Sequence, residues 1–173
     1  MLRVKYSDGN MNTHLKKSDI DELVGTSKTH FLNDNARRNN KSLGDLVGIQ
    51  DFGFHLVEIQ PGRESTELHC HYFEDECVYV LQGIGKAVVG EESFTICEGD
   101  FIGYPAGGAA HTIINQSDQV LRYLVVGARK DHDVADYPNK NKRIYRNKGI
   151  DWELVDLGSI ERPGLSNPNL GKK

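Results

Sequence analysis

The sequence has no long apolar segment and few cysteines, and both absences restrict what the protein can be. No stretch of the 173 residues is apolar enough to span a membrane, and the polar N-terminus lacks a signal-peptide core. The three cysteines, Cys70, Cys77 and Cys97, are odd in number and lack zinc-knuckle spacing, which argues against a disulfide framework. We therefore expect a cytoplasmic protein with reduced thiols and no membrane association.

An excess of positive charge is also missing. The chain has 21 Lys and Arg against 25 Asp and Glu, so its net charge is −4 and no nucleic-acid partner is expected. It shows no fused helix-turn-helix pattern, which argues against a transcriptional regulator. One basic run could attract a phosphate or carboxylate, but such runs are more often solvated faces; its members are Lys140, Lys142, Arg143, Arg146 and Lys148.

Glycine is abundant, and short apolar segments recur between turn residues. Eighteen glycines suit many tight turns. In the segment FGFHLVEI, Phe52, Phe54 and Leu56 share one face of an extended strand, while His55, Val57 and Ile59 share the other. Similar segments follow up to VLRYLVVG. Strands this short and this regularly spaced indicate a single-domain antiparallel sandwich or barrel over about residues 50–127.

The flanking regions are more polar. Residues 1–49 are expected to form an N-terminal arm with a short helix at Ser18–Leu23, capped by Ser18, followed by loop over 25–45. Residues 128–173 are expected to form a C-terminal extension that packs on the barrel through its scattered apolar side chains, namely Tyr137, Ile144, Tyr145 and Trp152. Residues 1–17 are expected to form a loose arm or an edge strand, and those from Arg162 onward are expected to be frayed.

The stretch PGRESTELHCHYFEDECVYVLQG carries the strongest chemical signal. Side chains two residues apart in a strand point to the same face, so His69 and His71 can hold one ion together. Glu76 can return toward them from the next strand, because four residues after His71 suffice for a turn. Glu74 and Asp75 are alternative candidates for this carboxylate ligand. Two imidazoles and a carboxylate form a suitable divalent-metal set.

A second stretch, GDFIGYPAGGAAHTIIN, completes a recognisable pattern. His111 begins another apolar run there and is the natural fourth ligand. The two stretches resemble the two motifs of the cupin superfamily, matched by His69, His71, Glu76 and Gly83 in the first and by Gly99, Pro105, Gly107, His111 and Asn115 in the second. Gly62 stands one residue early, and one extra residue separates Gly107 from His111.

The resemblance implies a jelly-roll β-barrel, also called a double-stranded β-helix. It further implies that His69, His71, Glu76 and His111 bind one divalent metal ion. Three imidazoles and a carboxylate suit Zn, Fe, Mn, Ni or Cu, and an octahedral ion would keep two positions open for a substrate. Cupins commonly pair through sheet edges, so a homodimer is expected. Pieces such as KSLGD and DHDVADYP also resemble bacterial cupins of poorly defined function, some of them labelled sugar-phosphate isomerases.

Other polar residues are weaker candidates for a functional role. His55 shares a face with inward residues and, together with Tyr72, is a candidate catalytic residue. Tyr104 flanks the second motif and could donate a hydrogen bond. Val78 and Val80 have the same parity as Glu76 and predict an apolar cavity wall. The Asp131–Asp133 cluster is expected to be a surface loop or a cover near the barrel mouth.

Two classes of function fit this pattern, and the intact ligand set argues against a third, a structural or storage cupin. One is a metal-dependent enzyme acting on a small molecule, either an isomerase or lyase on a sugar or sugar phosphate, or an Fe-dependent dioxygenase. The alternative is a non-catalytic cupin that binds or senses a small ligand, because a fold does not by itself determine function.

Overall fold

The computed structural model describes residues 13–163, and this part of the chain is mostly β-strand. The helices are short: α1 Lys17–Glu22, α2 Leu43–Leu46, and two 3-10 turns at Pro138–Lys140 and Leu157–Ser159. None of them has the length or apolar character needed to cross a bilayer. The strands are β1 Thr26–His30, β2 Asn33–Lys41, β3 Phe52–Ile59, β4 Cys70–His71, β5 Glu76–Gln82, β6 Ile84–Val89, β7 Glu92–Cys97, β8 Phe101–Tyr104, β9 His111–Ile114, β10 Leu121–Ala128, β11 His132–Tyr137, β12 Lys142–Asn147 and β13 Glu153–Asp156.

The strands form three antiparallel sheets among the described residues. The largest has the order β1-β2-β3-β10-β5-β8, the second β13-β12-β11-β4 and the third β7-β6-β9. Neighbours in these sheets are often distant in sequence, as when β10 lies between β3 and β5. The predicted all-β jelly-roll is therefore confirmed.

The main core lies on the inner faces of the barrel strands. Alternation places Val57 and Ile59 of β3 inside, with Val78 and Val80 of β5 beside them, as the strand parity predicted. Burying each such side chain is worth about 1.5–3 kcal/mol relative to leaving it exposed. This packed layer forms a rigid base for the polar residues at the strand ends.

The N-terminal region differs from the prediction of a loop over residues 25–45. It forms β1, β2 and α2, and β2 pairs with β3 so that Asn40 lies opposite Val57. The Asn-rich segment lacks the apolar alternation that marks a strand, and backbone pairing to β3 recruits it instead. The predicted Ser18 cap is also wrong: α1 begins after Lys16, whose N–H donates to Asp19. Residues 1–12 lie outside the description.

The C-terminal extension forms strands β11, β12 and β13, and β11 pairs with the two-residue strand β4. Tyr137 and Ile144 are buried in a second small core, whereas Tyr145 is half-buried. Trp152 is 62% exposed, with the Arg146 guanidinium 5.4 Å from its ring centroid. The extension therefore lies against the strand that carries His71. Most of the expected loose C-terminal end is outside the described residues.

Candidate metal centre

A cavity of about 650 Å³ is lined by residues from all three sheets. The four predicted metal ligands all line it: His69, His71, Glu76 and His111. His55, the predicted catalytic histidine, lines it as well. His55 and His111, which are 56 positions apart in the sequence, therefore meet around one space.

The three predicted imidazole ligands lie next to one another. His69 and His111 face each other across an antiparallel bridge, in which the His111 N–H donates to the His69 carbonyl at 2.8 Å. The ring centroid of His69 is 4.7 Å from that of His111 and 4.9 Å from that of His71. Burial and the neighbouring imidazoles lower the pKa of His69 to about 3, so this ring is neutral at neutral pH.

Glu76 approaches this group from the start of β5. Its Oε1 lies 3.5 Å from Nε2 of His111, which is too long for a good hydrogen bond. Burial raises the pKa of Glu76, but the His111 contact and the other imidazoles lower it by more, so the carboxylate is favoured. The strand order therefore places an anionic oxygen beside the imidazoles.

The outward nitrogen of each ring already has a partner. Nδ1 of His69 donates to the Glu67 carbonyl at 2.9 Å and Nδ1 of His71 donates to Asp133 at 2.8 Å, while Nδ1 of His111 lies 3.4 Å from the Ala109 carbonyl. Metal-binding histidines characteristically use one nitrogen in this way and leave the other for the ion. The arrangement therefore leaves Nε2 of each ring as the ligand atom.

The side chain of His111 provides the direct test of whether a metal fits. Its Nε2 is buried and has no hydrogen-bond partner among the described residues. An unsatisfied buried polar atom costs about 1–3 kcal/mol, and a metal ion would remove that cost. The donor set and this unpartnered nitrogen both fit one divalent ion bound by the four predicted ligands.

A second group shares only His71 with the predicted set. The potential ligand atoms of His71, Glu74 and Asp133 lie within 4.8 Å of one another and could also hold a metal. The Arg146 guanidinium, however, already pairs with Glu74 and lies 2.5 Å from Asp133. Burial raises the pKa of Asp133, but hydrogen bonds from His71 and Arg146 hold it at about 2. In this structure the group is an ion-pair network that orients His71.

The carboxylates around Glu76 therefore have separate roles. Glu74 was expected to face solvent, but its side chain is only 11% exposed because it pairs with Arg146. Asp75 is exposed as expected and accepts the Ala106 N–H at 2.8 Å. Of the three acidic residues in the turn, Glu76 is the one beside His111.

The two predicted catalytic residues occupy different environments. His55 lies in the cavity, and its Nδ1 is 3.3 Å from the amide nitrogen of the buried Asn40. Because that nitrogen can only donate, Nδ1 accepts and the neutral ring carries its proton on Nε2. Tyr72 is 42% exposed, and its hydroxyl donates to Asp136 at 2.8 Å. It is not among the residues lining the cavity, so the geometry adds no support to a catalytic role for Tyr72.

Tyr104 is better placed than Tyr72. It lines the cavity and stacks on His111, with ring centroids 3.7 Å apart and planes 4° from parallel. Its hydroxyl is buried without a hydrogen-bond partner among the described residues. It can therefore donate to a molecule bound next to the metal ligands.

Sequence reasoning missed two residues that support the site. In the Asp131–Asp133 cluster, Asp131 and His132 are exposed as expected, but Asp133 is only 1% exposed and contacts His71. Alternation along DVADY, with Asp133, Ala135 and Tyr137 on one face, could have indicated an inward Asp133. Asn40, which contacts His55, lies in a polar segment that offered no such signal.

Comparison with known proteins agrees with this geometry. A family model described as a Cupin domain matches residues 55–127. The chain is 47% identical to a provisionally named sugar phosphate isomerase from Acidithiobacillus ferrooxidans, with a TM-score of 0.86, covering 88% of this chain and 97% of that one. It is 28% identical to a cupin-superfamily sugar phosphate isomerase from Silicibacter pomeroyi, with a TM-score of 0.72, covering 82% and 92%. No curated protein matches the chain.

Proposed function

The chain belongs to the cupin superfamily, and on that premise we propose that it is a metal-dependent isomerase acting on a sugar or sugar phosphate. The observation that carries the proposal is the buried Nε2 of His111, unpartnered beside Glu76 and the other two imidazoles. The names of the two similar structures support the substrate class.

In this proposal His69, His71, Glu76 and His111 hold one divalent ion. Bound there, the ion would act as a Lewis acid toward a carbonyl or hydroxyl oxygen of the sugar. Asp133 fixes the orientation of His71 through Nδ1, and Arg146 fixes Asp133 in turn. The ligand set is therefore held in place before the substrate arrives.

The remaining groups bind and orient the substrate. His55 is held by Asn40 with its Nε2–H available, so it donates a hydrogen bond to a substrate oxygen. Tyr104, stacked on the His111 ring, donates another through its unpartnered hydroxyl. Val78 and Val125 form an apolar wall that limits water beside the reacting carbons.

The proposal can be tested on protein purified without chelator. Elemental analysis should find about one Zn, Fe, Mn or Ni per chain, and removal followed by reloading with each metal should identify those that support turnover. Anaerobic NMR assays with a panel of aldoses, ketoses and their phosphates should then show interconversion. Oxygen consumption with Fe(II) would favour the dioxygenase, and tight ligand binding without turnover would favour the sensor; either result overturns the isomerase assignment.

We further propose that the chain forms a homodimer. Strand β8 is the last strand of the largest sheet in the described part, and apolar side chains near it are exposed, including Phe101 at 67% and Tyr79 at 46%. A second copy would cover this edge. Light scattering at micromolar concentration should give twice the mass of the chain, and a monomer mass would contradict the proposal.

The free cysteine thiols support a location of the protein in a reducing compartment. Cys70, Cys77 and Cys97 are all free in the structure. Free thiols persist in the cytoplasm, which is the location we propose.

A further inference from the structure

Two positive side chains lie directly opposite each other on the N-terminal hairpin. Lys28 of β1 and Arg38 of β2 are cross-strand partners, so both side chains point to the same face. Both line the cavity that contains the predicted metal ligands. Like charges in this position are destabilising, and the hairpin must tolerate that repulsion or neutralise it.

Neither cation forms a direct ion pair with a carboxylate of the described residues, although Asp45 partly offsets the Lys28 charge from a longer distance. No carboxylate lies within 4.0 Å of Lys28 or Arg38 among residues 13–163. Arg38 donates through Nη1 to the Ser65 carbonyl, and the remaining guanidinium N–H groups are available. Burial and the Arg38 charge lower the pKa of Lys28, as expected for two cations sharing a partly enclosed space.

The basic run over residues 140–148 shows the opposite arrangement. Every one of its cations has a carboxylate partner, the pairs being Lys140–Glu67, Lys142–Asp156, Arg143–Asp136, Arg146–Asp133 and Lys148–Asp131. Each cation of that run therefore has a carboxylate partner, but Arg146 lines the cavity and does not lie on the solvated face expected from the sequence. The uncompensated positive charge lies instead on the cavity side of the hairpin.

A third cation stands where the hairpin region approaches the metal centre. Arg129 pairs with Asp45 at 2.6 Å, and its Nε lies 3.5 Å from the position a Cβ on Gly53 would occupy. Gly53 is the cross-strand partner of Gly127, and a Cβ on Gly127 would lie 3.6 Å from Glu76 Oε2. Such partners are about 5 Å apart, so Arg129 and Glu76 flank one short stretch of sheet.

We propose that Lys28 and Arg38, with Arg129 at the rim, form a subsite for the phosphate group of a phosphorylated sugar. The proposal rests on the proposed function and narrows its substrate from sugars in general to sugar phosphates. Arg38 supplies a planar set of donors and Lys28 a compact charge, a combination that suits a dianion bearing several acceptor oxygens.

Inorganic phosphate is the probe that separates this subsite from the reaction. Its binding should be measured by calorimetry on metal-loaded protein and on protein stripped with a chelator, because a subsite made of side chains retains phosphate without metal. Lys28→Met and Arg38→Met should each weaken phosphate binding by about tenfold or more, since each removes one charge-assisted interaction. Lys148→Met, which removes an exposed lysine paired with Asp131, should leave binding unchanged.

The same variants provide a second readout. Without phosphate, Lys28→Met should raise the melting temperature because it removes the repulsion from Arg38, whereas Lys148→Met should not. Acetate should bind more weakly than phosphate.

The proposal is overturned if wild type does not bind phosphate, if both hairpin variants bind it as wild type does, if acetate binds equally well, or if binding disappears with the metal. A failure to detect turnover with intact phosphate binding would refute the isomerase alone.

Discussion

Two groups of ligand-type side chains share His71, and they differ in what faces their polar atoms. On the cavity side, His69, Glu76 and His111 surround a space in which Nε2 of His111 has no partner. On the other side of the ring, Asp133 and Glu74 meet the guanidinium of Arg146. The first group has an unpartnered ligand atom, whereas both carboxylates of the second are already paired with a cation of the protein.

The difference shows why closeness alone does not identify a metal site. Ligand atoms within 4.8 Å occur in the group of His71, Glu74 and Asp133, yet both of its carboxylates already share the Arg146 guanidinium. A metal there would have to displace a guanidinium. In the cavity group Glu76 has no guanidinium partner, and Nε2 of His111 has no hydrogen-bond partner among the described residues, so the group can accept a divalent ion at lower cost.

Removal of a predicted ligand should have the largest effect. His69→Ala or His111→Ala removes one of the four predicted ligands, so each variant should lose most of its metal and leave the partly buried Glu76 without the charge of the ion. Loss of an ion present at 1,000 times its Kd would also lower the free energy of unfolding by about 4 kcal/mol. Elemental analysis and thermal unfolding would measure both effects.

Glu74→Gln is the matched control for those ligand variants. It changes a carboxylate of the neutralised group and should leave metal content at the wild-type level. Full metal occupancy in the two histidine variants, or metal loss confined to Glu74→Gln, would contradict the assignment of the cavity group.

Removal of Arg146 should make the second group resemble the first. Arg146→Met leaves Asp133 and Glu74 partly buried without their cation, so the free energy of unfolding should fall by about 3 kcal/mol. Added Zn should recover more of that loss in the variant than in wild type, because the freed carboxylates and His71 can then bind a second ion. Titration by calorimetry would show whether the stoichiometry rises above one. A variant as stable as wild type would show that Arg146 does not neutralise this group.

Asp133 links the two groups, and its replacement should have an intermediate effect. In Asp133→Asn the side chain keeps its shape, but its interaction with His71 and Arg146 loses the negative charge. Metal affinity should fall by about tenfold to a hundredfold, as is usual when the carboxylate behind a metal-bound histidine is altered. Competition with a chromophoric chelator would measure the change. Unchanged affinity would mean that the orientation of His71 is set elsewhere.

The cavity residues could be proposed from the sequence because their signals are short-range. The alternation that points His69 and His71 to one face, and the alternation that turns Val78 and Val80 inward, are read within a few residues. Asp133 could not be found in this way, because its contact with His71 spans 62 positions and exists only when β11 pairs with β4. Lys28 and Arg38 were likewise missed, since their strands carry no apolar pattern and form by pairing onto β3.

The smallest effect is expected at an ion pair on the same strands that touches neither group. Arg143 binds both carboxylate oxygens of Asp136, through Nε at 2.6 Å and Nη2 at 2.8 Å, and this contact is the main cause that lowers the pKa of Asp136 below its ordinary 3.8. Asp136→Asn should lower the free energy of unfolding at pH 7 by about 1 kcal/mol, because the pair is partly exposed. Metal content should not change.

The contribution of the Arg143–Asp136 pair to stability should depend on pH in a definite direction. Because the folded-state pKa of Asp136 lies below the unfolded value, its contribution is fully present well above pH 3.8 and is lost as the pH falls through the folded pKa. The stability difference between wild type and Asp136→Asn should therefore shrink as the pH is lowered below about 4. Denaturant unfolding of both proteins between pH 2 and 7 would measure it. A difference that stays constant across this range would show that the ionised pair does not stabilise the fold, and any metal loss in the variant would tie this pair to the cavity group after all.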